Sequence, residues 1–137
     1  MISSLLMILV QPQELPPCNQ EKADQGIQQE MNICAANEYY EADAELNAVW
    51  ALARERMMER DAALEDYPLP EWDDRPGYFE SLLESQRAWL TYRDAFCRTE
   101  GYAARGGSLE PLLAVTCKTA LTRKRTQELQ ELLEYPQ

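Results

Sequence analysis

The sequence contains no histidine and only 5 glycines in 137 residues. The absence of imidazole removes the commonest general base and metal ligand, and with them any Ser-His or Cys-His catalytic pair. The scarcity of glycine argues against a turn-rich all-β chain. Basic residues are also few, 13 against 24 acidic ones, so the formal net charge is −11. This charge disfavours nucleic acid and anionic lipid and favours a basic protein as partner.

Four cysteines are present, and no two of them form a C-x-x-C pair. A zinc site or a thioredoxin-like motif therefore has no anchor. An even number of cysteines in a small chain is typical of disulfides, and four allow three pairings. Cys97 and Cys117 lie equally far from Gly107, so an antiparallel hairpin that turns there would bring them together. We therefore predict the bridges Cys97–Cys117 and Cys18–Cys34, with no metal and no cofactor.

Residues 1–17 begin with an apolar run and end in a proline-containing stretch. The run is too short to span a membrane, and no later segment is apolar enough to do so. It has no positively charged start and no A-x-A-like cleavage site. We interpret residues 1–17 as a degenerate or truncated export signal, with a disordered tail as the alternative. Residues 18–137 then form one helical domain.

Apolar residues recur every three or four positions in three segments, which is the period of one helical face. The first helix is predicted between Asn19 and Tyr67 with about thirty residues, preceded by a short helix near residues 20–29. The second resumes at Phe79 and ends before the double glycine at 106–107. The third follows Ser108 as N-cap, with Pro111 in its first turn. The predicted fold is an all-α bundle of three main helices with a short N-terminal helix, held by two disulfides.

The stretch from Asp66 to Gly77 contains three prolines and cannot continue a helix. It is acidic, and it carries one tryptophan. An aromatic side chain surrounded by charge is typical of a hot spot for a partner of opposite charge. The alternative is a surface ring that folds back on the domain. The candidate partner-binding residues are Glu71, Trp72, Asp73 and Asp74.

Two arginines, Arg93 and Arg125, fall on the apolar faces of their predicted helices. A buried guanidinium must be paired, so these side chains predict a polar network that joins helices rather than a binding site. The residues assigned to this structural network are Asp43, Asn47, Gln86, Tyr92, Arg93, Asp94, Glu100 and Arg125.

Several short motifs occur in order along the chain. Residues 89–97 read W-x-x-Y-R-D-A-x-C, residues 106–108 read G-G-S, and Cys117 is followed by L-T-x-x-R at 121–125. With a further block from Met31 to Asn47, this pattern resembles the LprI-like lysozyme-inhibitor family of exported bacterial proteins. The resemblance implies an exported helical domain with paired cysteines that inhibits a lysozyme-like glycoside hydrolase. The stretch from Asp66 to Gly77 matches no part of the family pattern.

The preferred hypothesis is therefore a periplasmic or secreted protein-binding domain that inhibits a basic, lysozyme-like glycoside hydrolase. The alternative is a non-inhibitory structural or adaptor protein of the cell envelope. An enzyme is the third hypothesis, because two positioned carboxylates suffice for sugar hydrolysis. No carboxylate stands out by an unusual setting, and no nucleophile is paired with a base. We therefore predict that the chain is not an enzyme.

Overall fold

The structure is a computed structural model that describes residues 15–135. In this range the helices are α1 (Gln20–Asp24), α2 (Gln28–Ala63), α3 (Tyr78–Gly101) and α4 (Glu110–Glu134), with a 3-10 turn at Tyr102–Ala104. The described part of the chain contains no strand, so the all-α prediction is confirmed. Most of the predicted export signal at residues 1–17 lies outside the described residues.

The N-terminal segment is held against α2 by covalent and polar contacts. The side chain of Asn19 caps α1 by accepting a hydrogen bond from the backbone N–H of Lys22 at 3.0 Å. The chain then turns at Gly26, whose φ of +82° is readily accessible only to glycine. Cys18 and Cys34 form the predicted disulfide, with their Cα atoms 4.7 Å apart.

Helix α2 has 36 residues, several more than predicted, and is about 54 Å long at 1.5 Å per residue. It contains neither glycine nor proline, so nothing interrupts its hydrogen bonds before the proline-containing loop. It contacts α1, α3 and α4 along its length. Its fully buried residues, Ala42, Leu46, Ala53 and Met57, lie on one stripe of the helix.

Helices α3 and α4 form the predicted hairpin. Gly106 takes the left-handed conformation at the turn, with φ +83°. Cys97 and Cys117 are bridged, with a Cα–Cα distance of 5.4 Å, so both predicted disulfides are confirmed. The prediction that Ser108 caps α4 is wrong. Leu109 occupies the N-cap position with helical dihedrals and makes no side-chain cap.

The start of α4 is stabilised in another way than by a serine cap. The carboxylate of Glu110 accepts a hydrogen bond from the backbone N–H of Gly106 at 2.7 Å. Because the chain is already turning through residues 107–109, Ser108 lies one residue too early to cap the first turn. Pro111 lies in that first turn, as predicted.

The three long helices run up, down and up. Arg56 of α2 donates to the carbonyl of Leu133 of α4, and both residues lie near the C-terminal ends of their helices. Helices α2 and α4 are therefore parallel, and α3 is antiparallel to both. The core is small, and its buried residues are Leu46, Ala53, Met57, Leu82 and Leu129. Six partly buried apolar residues pack against this cluster: Val49, Trp50, Phe79, Trp89, Leu132 and Leu133. The two disulfides stabilise the domain further, each by on the order of 3 kcal/mol.

Candidate functional site

One arginine lies buried where α2, α3 and α4 meet. Arg93 is only 6% exposed. Its Nε donates to Asp94 at 3.0 Å, its Nη1 lies 3.5 Å from the hydroxyl of Thr122, and the same Nη1 lies 3.9 Å from Asp43. Its Cζ is 5.1 Å from the centroid of the Trp89 ring and 5.6 Å from that of Tyr39. The guanidinium is thus satisfied by both charged and aromatic groups.

A second arginine contacts the same tryptophan. Arg125 donates from Nε to Gln86 at 2.9 Å, from Nη2 to Ser85 at 2.9 Å and from Nη1 to Glu128 at 3.0 Å. Its Cζ lies 6.0 Å from the Trp89 ring centroid. We call this cluster the arginine junction; its residues are Tyr39, Asp43, Gln86, Trp89, Arg93, Asp94, Thr122 and Arg125.

Some of the residues assigned to the network lie at its edge or outside it. Asn47 is exposed and reaches only Asp43, at 3.4 Å. Tyr92 is 53% exposed and stacks on Phe96. It points away from the junction because it is the neighbour of Arg93, and neighbouring residues of a helix point about 100° apart. Glu100 is exposed and lies about 10 Å along α3 from Arg93, too far for contact. Neither Tyr92 nor Glu100 is therefore part of the arginine junction.

The role of Trp89 was not predicted from the sequence. Its spacing of four residues from Arg93 was the available signal, because side chains at that spacing lie on the same face of a helix. The burial of Tyr39 raises the pKa of its hydroxyl, and the nearby Arg93 opposes this shift only in part. Gln86, Arg93 and Thr122 of the arginine junction are buried. Its carboxylates reach the surface, since the Asp94 and Asp43 side chains are 53% and 36% exposed.

The loop between α2 and α3, residues 64–77, is here called the acidic loop. Asp61, in the last turn of α2, accepts hydrogen bonds from the backbone N–H groups of Tyr78 at 2.8 Å and Phe79 at 3.0 Å. It thereby caps α3 from a neighbouring helix. A Cβ at Gly77 would lie 2.8 Å from the Asp61 carboxylate, so a larger residue at this position would displace that side chain. The Asp61 cap was not predicted, since seventeen positions separate it from Tyr78.

A second contact shapes the acidic loop from within. Both carboxylate oxygens of Asp73 accept hydrogen bonds from the guanidinium of Arg75, each at 2.7 Å. This pairing lowers the pKa of Asp73 and raises the pKa of Arg75. The charge of Asp73 is thus balanced inside the loop, which separates it from the other candidate acids.

The remaining candidate residues of the acidic loop face solvent. Trp72 is 76% exposed, so its ring is not folded back on the domain. Glu71 and Asp74 are exposed, and neither forms an ion pair with another described residue. Tyr67, at the start of the loop, is 81% exposed. The structure therefore brings together an aromatic ring and free carboxylates on one short segment fixed at the Asp61 cap.

Within residues 15–135, no three His, Cys, Asp or Glu side chains are grouped so that they could hold a metal ion. In the same part of the chain, no helix combines the length and the apolar character needed to cross a membrane.

Comparison with known proteins gives one informative relative. The chain is 46% identical over 107 residues to an uncharacterised protein of Rhizobium meliloti (strain 1021), covering 78% of this chain and 74% of that protein. No solved structure matches the chain. Residues 18–129, which hold both disulfides, the arginine junction and the acidic loop, match the family described as lysozyme inhibitor LprI. The chain belongs to the LprI lysozyme inhibitor family.

Proposed function

We propose that this protein is exported and binds a basic, lysozyme-like glycoside hydrolase, which it inhibits. The observation that carries the proposal is the exposed Trp72 ring on an acidic loop fixed at its C-terminal end by Asp61. An anchor presented on a fixed segment loses little conformational freedom when it binds. The family description supports the choice of lysozyme as partner.

Charge supports the same choice of partner. The protein carries −11, and four acidic side chains of the loop lie outside the Asp73–Arg75 pair: Glu65, Asp66, Glu71 and Asp74. A negative field of this kind attracts a cationic protein at long range and speeds its association. Trp72 would then slow dissociation once its ring is desolvated in the complex.

Two disulfides support export to the periplasm or the cell exterior, since such bonds persist in oxidising compartments. We propose binding rather than catalysis for the acidic loop. The Arg75 guanidinium lowers the pKa of Asp73 in this loop, whereas a general acid for sugar hydrolysis needs a raised pKa.

The experiment is a titration of a basic c-type lysozyme with the parent protein, Trp72→Ala and Tyr92→Ala. Tyr92 is a matched control, because it is an exposed aromatic residue outside the loop. We expect stoichiometric inhibition by the parent and by Tyr92→Ala. Truncation of a hot-spot aromatic costs about 2 kcal/mol, so Trp72→Ala should inhibit about 30-fold less tightly.

Ionic strength separates the contribution of long-range charge from the contribution of Trp72 burial. The Debye length falls from about 10 Å at 0.1 M to about 3 Å at 1 M ionic strength, so association should slow steeply over this range. The difference in dissociation rate between the parent and Trp72→Ala should persist at high ionic strength. No inhibition by folded parent protein at tens of micromolar in low salt would refute the proposal and leave the adaptor hypothesis.

A further inference from the structure

A cleft of about 530 Å³ lies beside the acidic loop, between the ends of α2 and α4 and the start of α3. Its volume is within the range of ligand-binding pockets, roughly 300–1,000 Å³. The apolar residues that line it are Met57, Leu64, Leu69, Leu82 and Leu132.

Most polar groups around this cleft already have partners. Arg75 is paired with Asp73, and the hydroxyl of Ser85 donates to the carbonyl of Leu82 and accepts from Arg125. Arg60 donates to the carbonyl of Tyr135 at 3.3 Å and lies over the Tyr78 ring at 5.9 Å. A polar ligand would have to compete with these contacts. An apolar group would only displace water.

The acidic loop beside this cleft is negatively charged. Glu65, Asp66, Glu71 and Asp74 are exposed there, and none pairs with a described basic side chain. The apolar cleft thus lies next to free carboxylates, and the complementary shape is an apolar side chain with Lys or Arg on either side. A second copy of this chain is a poor occupant, because two molecules at −11 repel each other.

We propose that this cleft receives one apolar side chain of a basic segment, whose flanking Lys or Arg residues face the carboxylates of the acidic loop. The identity of the complete partner rests on the proposed function, and the cleft is then its second point of contact beside Trp72. Burial of one Leu- or Phe-sized side chain corresponds to roughly 10- to 100-fold in affinity.

The test uses three blocked tripeptides as probes: Lys-Leu-Lys, Lys-Ser-Lys and Glu-Leu-Glu. Amide chemical shifts of the full chain are followed by NMR as each peptide is added. We expect Lys-Leu-Lys to bind at least 10-fold more tightly than the other two and to shift amides around Ser81 and Leu82. Equal binding of Lys-Leu-Lys and Lys-Ser-Lys, or shifts confined to another face, would overturn the proposal.

Two serine variants give the matched control. Ser81 lines the cleft and is exposed, so Ser81→Trp should fill it without disturbing the core. Ser108 is an exposed serine at the opposite end of the α3–α4 hairpin. We expect Ser81→Trp to abolish the preference for leucine and Ser108→Trp to keep it, with both variants folded by circular dichroism. An unchanged preference in folded Ser81→Trp would contradict the assignment.

The peptide experiment tests the cleft, and the inhibition assay tests the proposed function, so either proposal can be refuted without the other. A leucine preference without inhibition would leave the cleft assigned and the partner wrong, whereas inhibition without that preference would refute only the cleft. Sedimentation of the parent tests a second copy as occupant. Dimerisation that Ser81→Trp abolishes would overturn the proposal of a basic segment.

Discussion

The arginine junction and the acidic loop use charge in opposite ways. In the junction, the Arg93 side chain is almost wholly buried and contacts carboxylates, a hydroxyl and two aromatic rings. In the loop, Glu71 and Asp74 point into solvent without a counter-ion among the described residues. Trp89 packs between arginines, whereas Trp72 is exposed. The first region can stabilise the bundle, and the second can bind a partner.

The difference agrees with where the family motif falls. The fixed positions of the W-x-x-Y-R-D-A-x-C and L-T-x-x-R motifs lie mostly in two places. They belong to the arginine junction or to the Cys97–Cys117 bridge. The family match over residues 18–129 includes the acidic loop as well. We infer that the motif residues maintain the bundle, and we propose that the acidic loop binds the partner.

The largest effect should come from breaking the junction. Arg93→Ala leaves Asp94 and Asp43 without their guanidinium partner and removes the cation from between two rings. The Asp94 and Asp43 side chains are 53% and 36% exposed, and Asp94 keeps Lys118 at 3.8 Å, so the main cost is the lost packing of the buried Arg93 side chain, about 2 kcal/mol. Denaturant unfolding measures this change.

Arg87→Ala is the matched control for Arg93→Ala, since Arg87 is an exposed arginine of the same helix. It should change the free energy of unfolding by less than about 0.5 kcal/mol. Equal stability of the two variants would mean that the junction does not hold the helices together.

A smaller effect should come from loosening the end of the acidic loop at α3. Asp61→Ala removes the acceptor for two backbone N–H groups and should cost about 1 kcal/mol. Gly77→Ala should cost a similar amount, because its methyl group would displace the same carboxylate. Denaturant unfolding of both single variants and of the double variant gives a double-mutant cycle.

The double variant should be little less stable than either single variant, since both changes remove the same cap. Additive costs would show that Gly77 is required for a reason other than its approach to Asp61.

The smallest effect concerns pH and the shape of the loop. The pKa of Asp73 is lowered by Arg75, so the pair is intact above the ordinary carboxyl pKa of about 4 and is lost as pH falls through the lower folded value. The difference in fluorescence between parent and Trp72→Phe isolates the Trp72 signal. That signal should change below about pH 4 in the parent.

Asp73→Asn supplies the comparison for the pH experiment. It should show the altered Trp72 signal already at neutral pH and lose the dependence on acid. A parent signal that is constant down to the onset of global unfolding would mean that the Asp73–Arg75 pair does not shape the loop.

Much of the fold could be predicted because it depends on local patterns. The apolar period placed the helices, and the equal distance of Cys97 and Cys117 from Gly107 predicted the disulfide that the structure confirms. Helix α2 was predicted too short because the apolar period is visible only from Met31 to Met57, whereas the helix begins at Gln28 and ends at Ala63. The Ser108 cap was wrong because the backbone at Leu109 is already helical.

The contacts of the candidate site were harder to predict. The two arginines could be placed on apolar faces, but their shared contact with Trp89 depends on how the helices are rotated against each other. The Asp61 cap joins residues far apart in sequence, and the only sequence feature that points to it is the glycine at position 77. The exposure of Trp72 could not be derived from composition, since an acidic proline-containing loop can also fold back.

The most direct test compares two pairs of acidic residues with the same change in net charge. Glu71→Gln with Asp74→Asn removes two carboxylates from the acidic loop, and Glu41→Gln with Glu45→Gln removes two exposed carboxylates from α2. Each double variant loses two negative charges and carries −9 instead of −11. The measurement is the association rate with a basic lysozyme at low ionic strength. The loop variant should associate several-fold more slowly than the α2 variant, which should stay close to the parent; equal slowing of both would contradict binding through the acidic loop.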